Sequence, residues 1–168
     1  NTTTATLFFA NQALPKHFCQ TAAAAVATTM VLKIPFLKAC EELTKNYAAP
    51  RGRSSFIPAC NGATILDSSY NASTQPTLDM LELLSRLPAR KKIVLFGDMR
   101  ELGAVSQVEH QRVADKIANC CDMATLVGPL TQKYVLPILK QEKVPTKWFP
   151  NAYMAAEYLK TQLEADDL

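Results

Sequence analysis

The 168-residue chain carries 18 Lys+Arg against 15 Asp+Glu, a net charge of +3, and 48% of it is hydrophobic. This balance excludes disordered and low-complexity architectures and fits one globular domain, or one and a part. A chain of this length buries roughly two-thirds of its unfolded surface, so it needs no metal or disulfide staple.

Basic residues are scattered, the densest group being Arg86, Arg90, Lys91 and Lys92. That density reads as a solvated helix end and speaks against a nucleic-acid partner. The five cysteines, Cys19, Cys40, Cys60, Cys120 and Cys121, are odd in number and lack CxxC spacing. They are expected to be reduced and mostly buried, which places the chain in the cytoplasm rather than in a secreted disulfide framework. The longest apolar stretch, residues 21–32, is rich in Ala and Thr and too short to span a bilayer, so no membrane partner is expected.

In chain order, Leu7-Phe8-Phe9-Ala10 is a short apolar run and a candidate strand. Residues 16–32 are Ala-dense and predict a helix, and residues 35–47, opened by Pro35, predict a second that forms one unit with it. Residues 48–55 combine Pro50, Gly52, Ser54 and Ser55, the punctuation of a domain boundary. Residues 56–59 and 63–66 flank Asn61-Gly62 and predict a hairpin. Thereafter helices and strands alternate: a helix over 76–87 with Met80, Leu84 and Leu87 on one face, a strand over 93–96, a helix over 107–119, and a strand over 124–127. A helix over 130–140, a short strand around Lys147-Trp148-Phe149 and a helix over 151–163 complete the series. The strands are continuously apolar, which implies cover on both faces. The expected fold is therefore α/β, a doubly wound, mostly parallel, Rossmann-like sheet.

In such a sheet the ligand crevice lies beyond the carboxyl ends of the strands. Asp67, Gly97-Asp98 and Gly128 each follow a predicted strand at that edge. His110 shares a helical face with Val113, Ala114 and Ile117, and is expected to be a buried brace for the loop over 97–103 rather than a base. No Ser/His/Asp or Cys/His constellation is present, so no catalytic side chain and no metal ligand is assigned.

Two loops carry more than their position. Asp67-Ser68-Ser69-Tyr70-Asn71-Ala72-Ser73, and Gly97-Asp98-Met99-Arg100-Glu101-Leu102-Gly103 followed by Ser106 and His110, resemble the C-terminal domain of the Mur ligases. Within that family they are most similar to the branch that adds D-alanyl-D-alanine, the MurF-type ligases. That branch carries D-x-Y-N-A-[NS]-P and G-D-M-x-E-L-G-x-x-S-x-x-x-H, and the second motif matches at every fixed position. Lys16-His17 before the Ala-rich helix resembles the G-x-H-N-x-x-N-x-x-A-A helix that closes the family's central domain, and Pro50-Arg51-Gly52-Arg53 resembles its P-G-R hinge.

The resemblance implies an ATP-dependent amide ligase of peptidoglycan precursor synthesis that uses ATP and Mg2+, with UDP-N-acetylmuramoyl-tripeptide and D-alanyl-D-alanine as partners and a monomeric state. It implies that residues 1–53 are a helical remnant of the central ATPase domain with the hinge, and that residues 54–168 are the C-terminal domain. The phosphate-cradling G-x-x-x-x-G-K-[ST] loop is absent from the chain, so the fragment alone is expected to be inactive.

Arg53, Asp67, Ser68 and Asn71 are the implied nucleotide contacts, and Asp98, Met99 and Glu101 the implied substrate contacts. The chain departs from the family where Ser68 stands two residues before Tyr70, where the family has an acid, so the ribose role falls to Asp67. It departs again where Thr74 replaces a proline and where Phe18 and Thr21 replace two asparagines. Asp98 has two readings: orienting the amine or the hinge arginine, or capping backbone N–H groups. Two other functions stay open, a Mur-type ligase for another amine and a non-catalytic α/β binding domain.

Overall fold

The computed structural model describes residues 3–9 and 13–168. Helices α1 (Phe18–Val31) and α2 (Phe36–Asn46) are joined by a short turn and pack against each other. Only Ala22 and Val26 of α1 are buried. Val26 meets Ala39 and Cys40 of α2, with Ala5, Leu7, Phe36 and Leu43 around them. Leu7 to Phe9 form no strand, and Ala10 lies outside the described residues. Instead Phe9 meets Phe18 edge-on with ring centres 5.3 Å apart, and Tyr47 at 5.8 Å. Side-chain packing, rather than a backbone ladder, holds this segment.

The predicted hairpin is strands β1 (Ser55–Pro58) and β2 (Thr64–Asp67), antiparallel with Ile57 opposite Ile65. Asn61 and Gly62 both have positive φ, 57° and 82°, which only such a pair adopts cheaply. The hairpin is its own two-stranded sheet. Helix α3 (Thr74–Arg86) then leads to β3 (Ile93–Gly97), α4 (Ser106–Cys120), β4 (Met123–Val127), α5 (Leu136–Gln141), β5 (Thr146–Phe149) and α6 (Ala152–Lys160). Strands β3, β4 and β5 form a parallel sheet in that order. The architecture is the expected Rossmann-like α/β fold.

Burial follows position in the sheet. Met123, Ala124, Thr125 and Leu126 of the central β4 are buried, whereas Leu95 on β3 stays 49% exposed. Cover on both faces therefore holds for β4 alone. The core joins Leu81 and Leu84 of α3, Val113, Ala114 and Ile117 of α4, and Leu139 of α5 to Phe96 and Leu126. Leu87, just past the end of α3, is half-buried, and Leu81 joins Met80 and Leu84 as the buried residues of the helix.

Two further expectations change. The helix expected over 130–140 is present as continuous helical backbone over 129–141, but residues Thr131–Val135 are wound as a π-helical turn before α5. Of the cysteines only Cys40 and Cys121 are buried, while Cys19 and Cys60 are exposed.

The last residues join the two sheets. Thr64 N–H donates to the Asp167 carbonyl (2.9 Å) and Ile93 N–H to the Leu168 carbonyl (2.7 Å). Consecutive carbonyls thus face opposite ways, as in a strand lying between β2 and β3. The side chain of Asp167 is fully buried, and its Oδ2 accepts from Arg90 Nη2 and from the Glu164 N–H, each at 2.9 Å, while Oδ1 lies 2.9 Å from the same guanidinium nitrogen as an ion pair without a hydrogen bond of its own. Asp167→Ala is expected to cost about 2 kcal/mol, the scale of a charge-assisted hydrogen bond. Thermal unfolding should show a fall of roughly 4–8 °C; an unchanged midpoint would mean that the tail is not part of the cooperative unit.

Candidate functional site

Gly97, Val127 and Phe149 lie side by side at the carboxyl edge of the parallel sheet. The loop that follows Gly97 is therefore placed by β3, and three of its neighbours fix its shape. Asp98 reaches across to the segment after β4, where its Oδ1 accepts the Thr131 N–H at 2.8 Å. This is the free N–H of a helical turn, and a carboxylate there is stabilised by both the hydrogen bond and the local dipole. Gly128 gives it room: with φ of +101°, a Cβ at this position would stand 2.6 Å from the Asp98 Cγ and Oδ1.

Trp148 of β5 supports the same corner through Nε1–H to the Gly128 carbonyl at 2.8 Å. The Thr131 hydroxyl lies 2.9 Å from the carbonyls of Val127 and Gly128. Capping is thus one role that Asp98 performs.

His110, wholly buried on α4, holds the other side of the loop. Its Nδ1 donates to the Ser106 carbonyl at 2.7 Å, which leaves Nε2 unprotonated to accept the Met99 N–H at 3.1 Å. A neutral ring in one tautomer satisfies both bonds. This is the brace the helical spacing indicated. The Met99 side chain is wholly buried within the main core, so this residue anchors the loop from within. Arg100 and Glu101 are exposed, and Glu101 takes a positive φ of 63°, which turns the loop outward. The sheet edge therefore presents Arg100 and Glu101 on a base of Asp98, Met99 and His110.

The second loop is tied to the first and to the hinge. The Thr74 hydroxyl at the start of α3 lies 3.9 Å from the Met99 sulfur. The same hydroxyl, followed by Arg112, holds the Glu109 carboxyl below its ordinary value.

On the hinge side, Asp67 Oδ2 accepts the Gly52 N–H at 2.9 Å and Oδ1 accepts the Ser69 N–H at 3.0 Å. Tyr70 N–H returns to the Gly52 carbonyl at 3.2 Å. The segment around Gly52 and the loop after β2 are thereby clasped. The Arg53 guanidinium lies over the Tyr70 ring, 4.1 Å from its centre, a cation–π contact that holds an exposed arginine in one direction. Ser68 and Asn71 are exposed beside them.

Two predictions follow for this clasp. Gly52 has φ of +75°, and a Cβ there would come within 3.1 Å of the Tyr70 Cβ and N. Gly52→Ala is therefore expected to cost about 1–3 kcal/mol and to move the Tyr70 ring off Arg53; NMR shifts of the Arg53 side chain would read the separation.

The Asp67 carboxyl is held below its ordinary 3.8, chiefly by Ser69. A depressed carboxylate contributes its stability above the unfolded value and loses it as pH falls through the lower folded value. Hydrogen exchange at the Gly52 amide should accordingly stay slow at pH 5 and, after correction for intrinsic rates, quicken below the ordinary aspartate range. Loss of protection already above pH 5 would contradict this.

The sequence reading missed several partners. Gly52, Tyr70, Thr131 and Trp148 act through contacts between elements, and of these only Gly52 and Tyr70 lie inside a motif. Also unanticipated was Asp79 on α3, whose Oδ2 lies 3.0 Å from His17 Nδ1 and whose Oδ1 accepts from Gln75 at 2.8 Å. This places His17, at the start of α1, against the α/β unit.

Residues 52–168 match the family described as Mur ligase, glutamate ligase domain. The UDP-N-acetylmuramoyl-tripeptide--D-alanyl-D-alanine ligase of Rickettsia prowazekii (strain Madrid E) is 31% identical over 160 residues, covering 92% of the chain and 34% of that relative. The enzyme of the same name from Escherichia coli (strain K12) is 32% identical over 100 residues, 60% of the chain and 22% of the relative. Among solved structures, MurF from Acinetobacter baumannii superposes with a TM-score of 0.72 at 26% identity, over 86% of the chain and 31% of that protein. MurF ligase from Thermotoga maritima, in complex with ADP, gives 0.69 at 20% identity over 91% of the chain and 34% of that protein, which supports the fold alone. The chain spans about a third of the length of the Rickettsia relative. With the family match running from residue 52 to residue 168, the chain belongs to the Mur ligase family.

Proposed function

We propose that the chain serves an ATP-dependent ligase that joins D-alanyl-D-alanine to UDP-N-acetylmuramoyl-tripeptide, and that it supplies the part that presents the amine and completes the nucleotide site. The observation that carries this reading is the loop over residues 97–103. It has the G-D-M-x-E-L-G sequence, stands at the carboxyl edge of the sheet, and is fixed from two sides by Asp98 to Thr131 and His110 to Met99. Residues 1–53 then close the nucleotide-holding domain, and residues 54–168 form the domain that moves against it.

The residues at the hinge suit a nucleotide. Arg53 offers a guanidinium to phosphate oxygens, and Asp67 keeps an acceptor position on each oxygen beside its backbone bonds, open to ribose hydroxyls. Ser68 and Asn71 flank it with exposed hydrogen-bonding groups. Bound ATP supplies the activated phosphoryl group that turns a carboxylate into an acylating agent. Among the described residues no group of three or more His, Cys, Asp or Glu is placed to hold a metal ion, so no step is assigned here to magnesium.

On the amine side, Glu101 and the carbonyls of the loop attract an ammonium group, and the exposed Arg100 next to it in the loop carries a charge suited to the dipeptide carboxylate. Such a site works by position and charge rather than by a nucleophile of its own. The chain alone is expected to turn over no ATP.

Joining residues 54–168 to the first two-thirds of the Rickettsia prowazekii relative tests the proposal. ADP release that requires both the UDP-tripeptide and D-alanyl-D-alanine is expected. A folded chimera that accepts lysine or meso-diaminopimelate instead, or releases no ADP, would overturn it.

A further inference from the structure

Cys120 ends α4 and Cys121 follows it as the capping residue, with the two sulfurs 3.6 Å apart. The pair straddles the surface. Cys121 is 8% exposed and belongs to the main core, whereas the half-buried Cys120 lines an open groove of about 550 Å³ with Ser85, Arg90, Lys92 and Asp122.

The charges that act on Cys120 come from three elements. Lys116, one turn back on α4, and Lys92, just before β3, favour its thiolate, and Glu82 of α3 opposes it. Both lysines are anchored: Lys92 Nζ donates to the Ser85 carbonyl at 2.6 Å, and Lys116 pairs with Glu82. The carbonyl end of α4 works against an anion here. A hydrogen bond from the Cys121 thiol, with the lysines, prevails over burial and Glu82 and holds Cys120 below the ordinary thiol value. Donation to Cys120 and burial push Cys121 far upward. Cys120, the half-exposed member of the pair, is therefore the more readily deprotonated and the buried Cys121 the less.

The geometry points to Cys120 and Cys121 as a hydroperoxide-responsive dithiol, in which Cys120 is the attacked residue and Cys121 the resolving one. The Cys120 thiolate attacks one oxygen of hydrogen peroxide; an S–O bond forms, the O–O bond breaks, and the departing hydroxide takes a proton to become water. The Cys121 sulfur then attacks the Cys120 sulfenic acid. An S–S bond forms, the S–O bond breaks, and the second water leaves with the Cys121 proton. Two thiols are oxidised by two electrons and one peroxide is reduced to two waters. Adjacent Cα atoms stand about 3.8 Å apart, closer than the roughly 4.4 Å lower bound of ordinary disulfides. The bond formed is strained, so dithiols reduce it readily.

The full chain, treated with dilute hydrogen peroxide and then alkylated, digested and weighed, tests this. The peptide spanning residues 117–133 should lose two hydrogens and resist alkylation at both cysteines, about tenfold sooner than the exposed Cys19 and Cys60 oxidise. In Cys121→Ser, dimedone should label Cys120; in Cys120→Ser, neither position of the pair should react early. Dithiothreitol should restore both thiols, and the preference should vanish in urea. Cys19 or Cys60 oxidising as fast, a mixed disulfide between chains, or Cys121→Ser without dimedone label on Cys120 while folded by circular dichroism would each overturn the assignment.

Discussion

Gly128→Ala is expected to lower the stability of the protein by about 3–5 kcal/mol and to unseat Asp98. The positive φ of +101° is available to glycine and strained for alanine, at about 1–3 kcal/mol. The added Cβ would also stand 2.6 Å from the Asp98 carboxylate. That carboxylate cannot retreat without giving up the Thr131 N–H at 2.8 Å, and a hydrogen bond to a charged group contributes about 1.5–3 kcal/mol. Together the two effects correspond to a fall of roughly 10 °C or more in the unfolding midpoint for a chain of this size. Gly97→Ala supplies the contrast. A Cβ there meets nothing within 4 Å, and its expected cost is below about 1 kcal/mol. Similar losses at the two glycines would mean that the Asp98 bridge is not what Gly128 serves.

His110→Phe is the second substitution with a large expected effect. The phenyl ring fills nearly the same space in the core, so packing is largely kept while both hydrogen bonds are lost. The Met99 N–H, buried and bonded at 3.1 Å to Nε2, is then left without an acceptor. A buried unsatisfied donor costs about 1–3 kcal/mol, and the Ser106 carbonyl loses its partner as well. The expected destabilisation is about 3 kcal/mol, with fast hydrogen exchange appearing at Met99 and its neighbours in the loop before it appears in β4. Uniform acceleration across the domain, with no excess at Met99, would show that His110 stabilises the core in general rather than the loop.

These two substitutions mark the limit of what the sequence alone conveys. Periodicity places α1, α2, α3, α4 and α6 to within a few residues, and Asn61-Gly62 announces the hairpin, because these signals are local. His110 is also legible: Val113, Ala114 and Ile117 share its helical face, so its burial and bracing role follow from spacing. The Asp98 bridge is different. Its partner Thr131 lies 33 positions away at the start of the helix expected over 130–140, and only the parallel order of β3 and β4 brings the two together.

Asp67 illustrates the same limit. Its motif marks it as important, yet its bond to Gly52 depends on how the segment around residue 52 folds back over the loop. The apolar run ending at Phe9 misleads because aromatic residues serve edge-on packing as well as strands, and nearby Phe18 and Tyr47 supply the partners. The exposed Cys60 follows from the tight turn it occupies, where burial has no access.

The most direct test of the account is a two-dimensional amide NMR titration of the chain with D-alanyl-D-alanine, repeated with L-alanyl-L-alanine. The account predicts saturable shifts centred on residues 97–103 and on Gly128, with the D,D isomer bound more tightly than the L,L isomer. No shifts in that loop at millimolar dipeptide, equal response to both isomers, or shifts confined to surfaces away from the carboxyl edge of the sheet would contradict it.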